Sequence, residues 1–471
     1  MKHQILNFMM ALLFFVSCNE SLQDAIQASA EDQQKDGKPT PVELTPEEHN
    51  LVQQIAQGTP KISIDSAESI AMQLWSTDEA APAPKQLMSS VFCNKRLVTN
   101  GLSKSSYEEE DTAFYLFNSP DDNGFAIIAA DLRVPNQVLA FSDDGSFDEN
   151  TDNPGIQFFL DLAKDYVANC IEKADAEKDS LSEVVFKKLG IQSDTVTQGT
   201  TLSKYSIEYH KCTVVVPTKY TVKDFGKAGP LLNTKWGQRE PYNSKSGVEK
   251  VGCAPIAISQ LMAYWRFPAS VNGFRPNWSV INNSKHPQFN DQVSSLVYNV
   301  RKVLKTDGKT TNKHNVLDYL RDVHFSKQKQ LYDYTYDKVT EALDKGMPVF
   351  IRGENKNNSK KHHAWIADGY LKRKVTQEEV IKYLIFEHFD DGTVTSRYED
   401  IPSSSSVYYN LIYMNWGWYG NGNGYYHKDI FDTDRMVKEG QNGYFQQASS
   451  TTGEHHVFNK KIEIIADINP R

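Results

Sequence analysis

The first stretch of the chain is apolar, with Leu12, Leu13, Phe14, Phe15 and Val16 in a row before Ser17 and Cys18. That run is too short to cross a bilayer as a helix and predicts an export signal over residues 1–17. Polar residues then dominate 18–58, which predicts a tether in which Thr45-Pro46-Glu47-Glu48 is a possible helix start. Asp65 and Glu68 form a capping pattern ahead of Ile70, Leu74 and Trp75, and predict a short amphipathic helix. The apolar and aromatic runs at 114–118, 124–130 and 138–141 are separated by Pro, Asp and Gly and predict strands. A helical pattern from Pro154 to about Lys173 completes a compact α+β unit over 59–173.

Residues 174–228 are rich in Lys, Asp, Glu, Ser and Thr with little periodicity, and predict a solvated connecting segment. A protease-accessible joint is expected within it, between about 205 and 230. The pattern changes again at Gly229-Pro230-Leu231-Leu232, and aromatic and glycine-rich motifs crowd the rest of the chain to Arg471. A 229–471 domain is large enough to bury roughly 70–75% of its extended surface. The full length of 471 residues suits about three structural units. A net charge of −9 argues against a general nucleic-acid binder, and 39% hydrophobic with 24% charged residues argues against chain-wide disorder.

Cys93, Cys170, Cys212 and Cys253 follow Cys18 without CxxC or Cys/His spacing, so neither a structural zinc site nor a dense disulfide framework is expected. No cofactor motif is present either. The glycines after Asn415-Trp416-Gly417-Trp418 are not followed by Lys-Ser/Thr and do not open a helix as a nucleotide cradle does.

Four motifs carry candidate chemistry. Gly252-Cys253-Ala254-Pro255 opens a helix whose Ala257, Leu261, Tyr264 and Trp265 share one face. A cysteine at that helix start faces free N–H groups and the positive end of the dipole, which favour thiolate. On residue type alone a small buried side chain is the favoured reading. His362-His363-Ala364-Trp365 reads as a strand that could present a base, or a structural histidine. Asn415-Trp416 could hydrogen-bond a histidine N–H and shelter that bond from water, or form a packed hairpin. Gln238 lies 15 residues before Cys253 and could pair with the Cys253 N–H as an oxyanion hole. The order Gln, Cys, His, Asn matches the logic of thiol hydrolases.

With their neighbours, these motifs resemble the streptopain family of bacterial cysteine peptidases. The resemblance rests on Trp236-x-Gln238-x-x-Pro241-Tyr242-Asn243, Gly252-Cys253, His363-Ala364-Trp365-x-x-Asp368-Gly369-Tyr370 and Asn415-Trp416-Gly417-Trp418. It reaches the earlier unit, where residues 117–118, 124–131 and 142–147 are similar to that family's propeptide. The resemblance implies an α+β fold, a papain-like two-subdomain peptidase domain preceded by a smaller inhibitory prodomain. It implies that Cys253 is the nucleophile, His363 its base, Gln238 an oxyanion donor, and Asn415 with Trp416 the support of the histidine. His362 and Trp416 would line the substrate cleft, and no metal or cofactor would be needed. The expected partners are peptide substrates and the chain's own prodomain. Phe15-Val16-Ser17-Cys18 is similar to a bacterial lipoprotein signal, which implies lipidation at Cys18, export and anchoring to a membrane.

The chain departs from that pattern at Ala254-Pro255-Ile256, at His362 where glycine is common, at 300–305, and in the length of 371–412. A catalytically weak binding module or surface adhesin, and a thiol acyltransferase, are the other function classes compatible with these motifs.

Overall fold

The structure is a computed structural model. It describes residues 40–75, 87–99, 106–191, 196–200, 203–308, 310–355, 358–389, 391–433 and 460–470. The expected export signal and Cys18 lie outside these residues.

The segment expected as a tether is built into the protein from Val42 onward. Strand β1 (Val42–Leu44) leads into helix α1 (Pro46–Gln57). Thr45 and Glu48 cap that helix reciprocally: Thr45 N–H donates to Glu48 Oε2 at 2.8 Å, and Glu48 N–H donates to Thr45 Oγ1 at 3.2 Å. Leu51 and Val52 then pack with Val185, Ile381 and Tyr383, and that distant apolar surface is what turns a polar stretch into an ordered one. Helix α2 (Ile64–Leu74) is capped by Ser63, whose hydroxyl accepts the Ser66 N–H at 3.2 Å; Asp65 sits in its first turn.

Strands β2 (Met88–Thr99), β3 (Ser106–Asn118), β4 (Phe125–Ala129) and β5 (Val138–Ser142) form an antiparallel meander that contains the three predicted runs. Helix α3 (Pro154–Lys188) covers it and continues well past the expected end near 173. Lys, Glu and Ala after Lys173 favour helix by intrinsic propensity even where the apolar period fades. Gly190, at φ +70°, lies just past the end.

The expected solvated connector is also different. After α3, β6 (Val196–Thr200) and β7 (Ser203–Ala228) follow, and β7 lies along β10 (Asn358–Phe389) from Tyr205↔Phe389 to Ala228↔Tyr370. The long region 371–412 is the paired arms of β10 and β11 (Val394–Asn415), with Leu371 opposite Leu411 and His388 opposite Val394. Val222, Leu371, Val375 and Tyr409 make one side of this arm and pack against α2 and β3–β5. A half-buried strand alternates polar and apolar residues, which in composition looks like a linker.

The C-terminal region adds helices α4 (Cys253–Trp265), α5 (Trp278–Ile281), α6 (Phe289–Val303), α7 (Lys313–Asp322) and α8 (Tyr336–Asp344). Its further strands are β8 (Tyr332–Asp333), β9 (Val349–Asn355), β12 (Gly424–His427) and β13 (Lys460–Ile465). The sheet runs β2-β3-β4-β5-β12-β11-β10-β9-β13-β8, so the N-terminal meander and the C-terminal strands are one surface, joined where Ala140 and Phe141 pair with Tyr426 and Tyr425. The architecture is α+β, as expected.

Side-chain alternation gives β10 two buried faces. Ala364 and Ile366 pack with Ala257 and Leu261 of α4. Trp365 and Ala367 pack on the other side with Met414, Trp416 and, from α3, Phe158 and Phe159. The core on that second side is therefore built jointly by the N-terminal and C-terminal regions.

Candidate active site

Gly252, at φ +96°, turns the chain into α4 and makes Cys253 the first helical residue. The backbone N–H groups of Ala364, Ala254 and Cys253 itself reach the sulfur, and the charge of Arg352 acts in the same direction. All of these favour thiolate. Burial acts against them and prevails, pushing the Cys253 thiol above its ordinary value. In the full chain, burial therefore opposes the thiolate that the helix start favours, although part of the residue's surface is exposed.

His363 sits on β10 opposite Gly353, three residues before the ladder with β11 begins at Ile366↔Asn415. Its ring lies on the face shared with the N-terminal region, stacked on Trp365 at 5.9 Å between centroids and tilted against Trp416 at 6.3 Å. Because a carbonyl only accepts, the 3.1 Å contact with Trp416 O makes Nε2–H the donor and leaves Nδ1 with the lone pair. Nδ1 has no partner, so it is not bonded to the Cys253 thiol. Burial holds the imidazole down at about 4, opposed by the Trp416 carbonyl and assisted by His362. The thiol is thus pushed toward neutral SH and the imidazole toward its neutral form, and both shifts oppose an ion pair.

The structure brings Cys253, His362 and His363 to the wall of one cavity, together with Val316, Phe350 and Arg352. Gln238 is 4% exposed and its Nε2 is buried without a partner, while its carbonyl accepts the Val251 N–H at 2.9 Å and ties its loop to the residues before Cys253. Asn415 is placed differently from the expectation. Its Nδ2 donates to Thr234 O at 2.8 Å, and its Oδ1 accepts from Gly417 N–H at 3.2 Å and Gln260 Nε2 at 3.4 Å. The support of the histidine therefore comes from the Trp416 backbone and ring, not from the Asn415 amide. Trp416 itself is fully buried in the full chain, with Nε1 donating to Gly422 O and Tyr426 OH at 3.0 Å, and forms a wall behind His363.

Several residues of the site carried no signal in the sequence pattern. Asn153 caps α3 by accepting the Gly155 N–H at 2.9 Å, and Gly155 lies so close to the histidine that a Cβ there would be 2.5 Å from His363 Cδ2 and 2.6 Å from Trp416 Cε3. Asp152 beside it binds Lys250 at 2.7 Å and also pairs with Arg239, next to Gln238; its carboxyl is lowered to about 2, mainly by Arg239. Gln260, fully buried on α4, joins the Trp236 N–H to Asn415 and braces the glutamine loop. A buried glutamine amid the apolar residues of α4 was the available clue.

Two predictions follow from this packing. Gly155→Ala forces its new methyl into His363 and Trp416, so it should lift the start of α3 off the site; a lower melting temperature of the full chain is expected by thermal unfolding. For pH, the unfolded histidine near 6.5 binds a proton that the folded one refuses until about 4. Its contribution is complete above pH 6.5 and is lost as pH falls through that window, by about 3 kcal/mol in total. Denaturant unfolding between pH 7 and 4 should show this dependence weakened in His363→Gln; equal slopes in both proteins would refute the assignment.

Comparison with known proteins gives three findings. Residues 59–167 match the Spi protease inhibitor family, and residues 236–315 match the Peptidase C10 family. The chain is also 21% identical over 383 residues to a protein described as thiol protease/hemagglutinin PrtT from Porphyromonas gingivalis, covering 76% of this chain and 39% of that protein. The chain thus spans about two fifths of the length of that curated relative. No solved structure matches it. An inhibitor-like N-terminal region precedes a cysteine-peptidase region, the streptopain-like arrangement that the motifs implied.

Proposed function

We propose that the chain is a cysteine endopeptidase made as a zymogen, with Cys253 as nucleophile and His363 as its base. The observation that carries this reading is that Cys253 and His363 line one cavity, while Gly155 of the inhibitor-like region lies against the His363 ring outside it.

In this reading, departure of α3 returns water to the site, so the imidazole regains its ordinary basicity and turns toward the sulfur. His363 Nδ1 then takes the Sγ proton, and the thiolate attacks the peptide carbonyl carbon to form a C–S bond. The carbonyl electrons move to oxygen, which the Cys253 N–H and the unpartnered Gln238 Nε2 are suited to hold. Collapse breaks the C–N bond as His363 protonates the leaving amine. Water attacks the acyl carbon, gives a proton to His363, and releases the acid while the proton returns to sulfur. Asn415 and Gln260 act as braces that keep the glutamine loop against α4.

Export and lipid anchoring through Cys18 belong to the same proposal and are supported by the sequence around that residue; Cys18→Ser should move the protein from the membrane to the soluble fraction on cell fractionation. The central test is a time course of the full chain and its Cys253→Ala variant in reductant. Wild type should yield a C-terminal fragment beginning at one end of β7, since residues within that ladder cannot enter a protease cleft as a free extended strand. The variant should stay intact at an unchanged melting temperature. Equal processing of both proteins would sink the proposal.

A further inference from the structure

The segment that leads into α3 is strongly acidic, which the apolar packing of that helix does not require. Within the inhibitor-like region, residues 143–152 hold five carboxylates, those of Asp143, Asp144, Asp148, Glu149 and Asp152, and no Lys or Arg. Two of them meet cations of the peptidase region. Lys235 Nζ donates to Asp144 Oδ2 at 2.5 Å. Arg239 grips Asp152 with both arms of its guanidinium, Nη1 on Oδ1 at 3.1 Å and Nη2 on Oδ2, and Lys250 Nζ donates to the same Oδ2 at 2.7 Å. Arg239 is the first cause of the lowering of the Asp152 carboxyl to about 2.

The peptidase region builds this clamp from its own residues. The Arg239 N–H donates to Tyr419 Oη at 2.9 Å, and Tyr419 Oη donates to Glu240 O at 3.1 Å. Asn243 Nδ2 closes the loop by donating to Val248 O at 3.0 Å and Glu249 O at 2.9 Å, and the Val251 N–H returns to Gln238 O at 2.9 Å. Both cations lie over the Trp418 ring, Lys250 Nζ at 4.8 Å and Arg239 Cζ at 5.6 Å from its centroid. One resident carboxylate is at hand, since Glu249 Oε1 accepts from Arg239 Nη2 at 3.3 Å. Lys250, its side chain 14% exposed, has Asp152 as its one carboxylate partner among the described residues. Departure of the N-terminal region therefore leaves two pre-oriented cations that share a single acid.

We infer that this clamp, once Asp152 has left it, takes up an acidic side chain of the substrate, an aspartate or glutamate within a few residues of the bond that is cut. The inference rests on the peptidase reading above and adds a substrate class to it. Arg239 adjoins Gln238 in the chain, and Asp152 is three residues from Gly155, which lies against the His363 ring. A peptide that reaches from the clamp to the imidazole thus needs at most about 11 Å of chain. Arg239 and Lys250 are the specificity residues. Asparagine matches aspartate in shape but brings no charge to them, and lysine brings a like charge. Half-exposed pairs of this kind set a modest preference, and salt screens it.

The test uses the full-length chain matured by its own processing in reductant, with peptides acetylated and amidated at their ends so that only side chains carry charge. Asp, Asn and Lys are placed in turn at each position on both sides of the cut, and kcat/KM is measured at low and at high salt. At one position Asp should exceed Asn by about three- to tenfold at low salt, and the ratio should fall toward one at high salt. Arg239→Gln and Lys250→Gln should each lower that ratio; as a ratio within one enzyme, it cancels any effect on the neighbouring Gln238. Arg239→Glu combined with Lys250→Glu should make Lys the better residue at the same position, a gain that misfolding cannot produce. Thiol-dependent hydrolysis with an Asp-to-Asn ratio near one at every position overturns the inference, assigns the clamp to the N-terminal region alone and leaves the peptidase reading standing. An acidic preference that both Gln variants keep in full overturns it too, by placing the carboxylate elsewhere. Hydrolysis no greater than that of Cys253→Ala overturns both.

Discussion

Strand β10 is the constraint on which the rest depends, because its two faces serve opposite purposes. Ala364 and Ile366 fasten it to the helix that begins with Cys253. The neighbouring positions, His363 and Trp365, point into a core supplied in part by α3. A period of two along one strand thus sends the imidazole and the helix contacts to opposite sides of the sheet. The histidine cannot serve the thiol while its ring is packed between Trp365, Trp416 and Gly155.

What holds the N-terminal region in place can be decided by magnitude. Asp152 with Arg239 and Lys250, and Asp144 with Lys235, are exposed or half-exposed ion pairs, a class worth about 0–1 kcal/mol each. Ile156, Phe159 and Phe141 are essentially fully buried, and a side chain of that kind contributes about 1.5–3 kcal/mol by burial alone. The strand pairing of Ala140 and Phe141 with Tyr426 and Tyr425 adds main-chain hydrogen bonds across the same boundary. Apolar packing therefore fixes affinity, and the ion pairs fix register around the glutamine loop. High salt should loosen the loop before it releases the region.

Legibility in the sequence followed the kind of contact involved. Cys253 and His363 could be singled out because a helix start and a strand each leave a local pattern, and Pro255 in the first turn strengthened the first. The support of His363 could not be read, because it comes from the backbone carbonyl of Trp416, and a carbonyl has no residue signature. The conspicuous Asn415 is instead committed to Thr234, Gly417 and Gln260. The second half of α3 is helical by propensity while showing few apolar positions, and β7 reads locally as a connector because its pairing with β10 leaves no sequence pattern. Thr45 and Glu48 spelled out a helix cap, yet the surface that makes this helix worthwhile, around Ile381 and Tyr383, belongs to an arm whose existence the local pattern did not reveal.

The electrostatics of the site then follow from water access more than from any single partner. At the sulfur, three N–H groups and one guanidinium favour the anion and still lose to burial; at the imidazole, one carbonyl favours the cation and also loses. Both penalties come from burial, but α3 closes only on the imidazole, whereas the surroundings of the sulfur are built by the C-terminal region itself. A zymogen arranged in this way needs no dedicated switch residue. The apolar face of α3 thus adds to the burial that keeps the imidazole neutral. The groups that will favour the thiolate are already in position when water arrives.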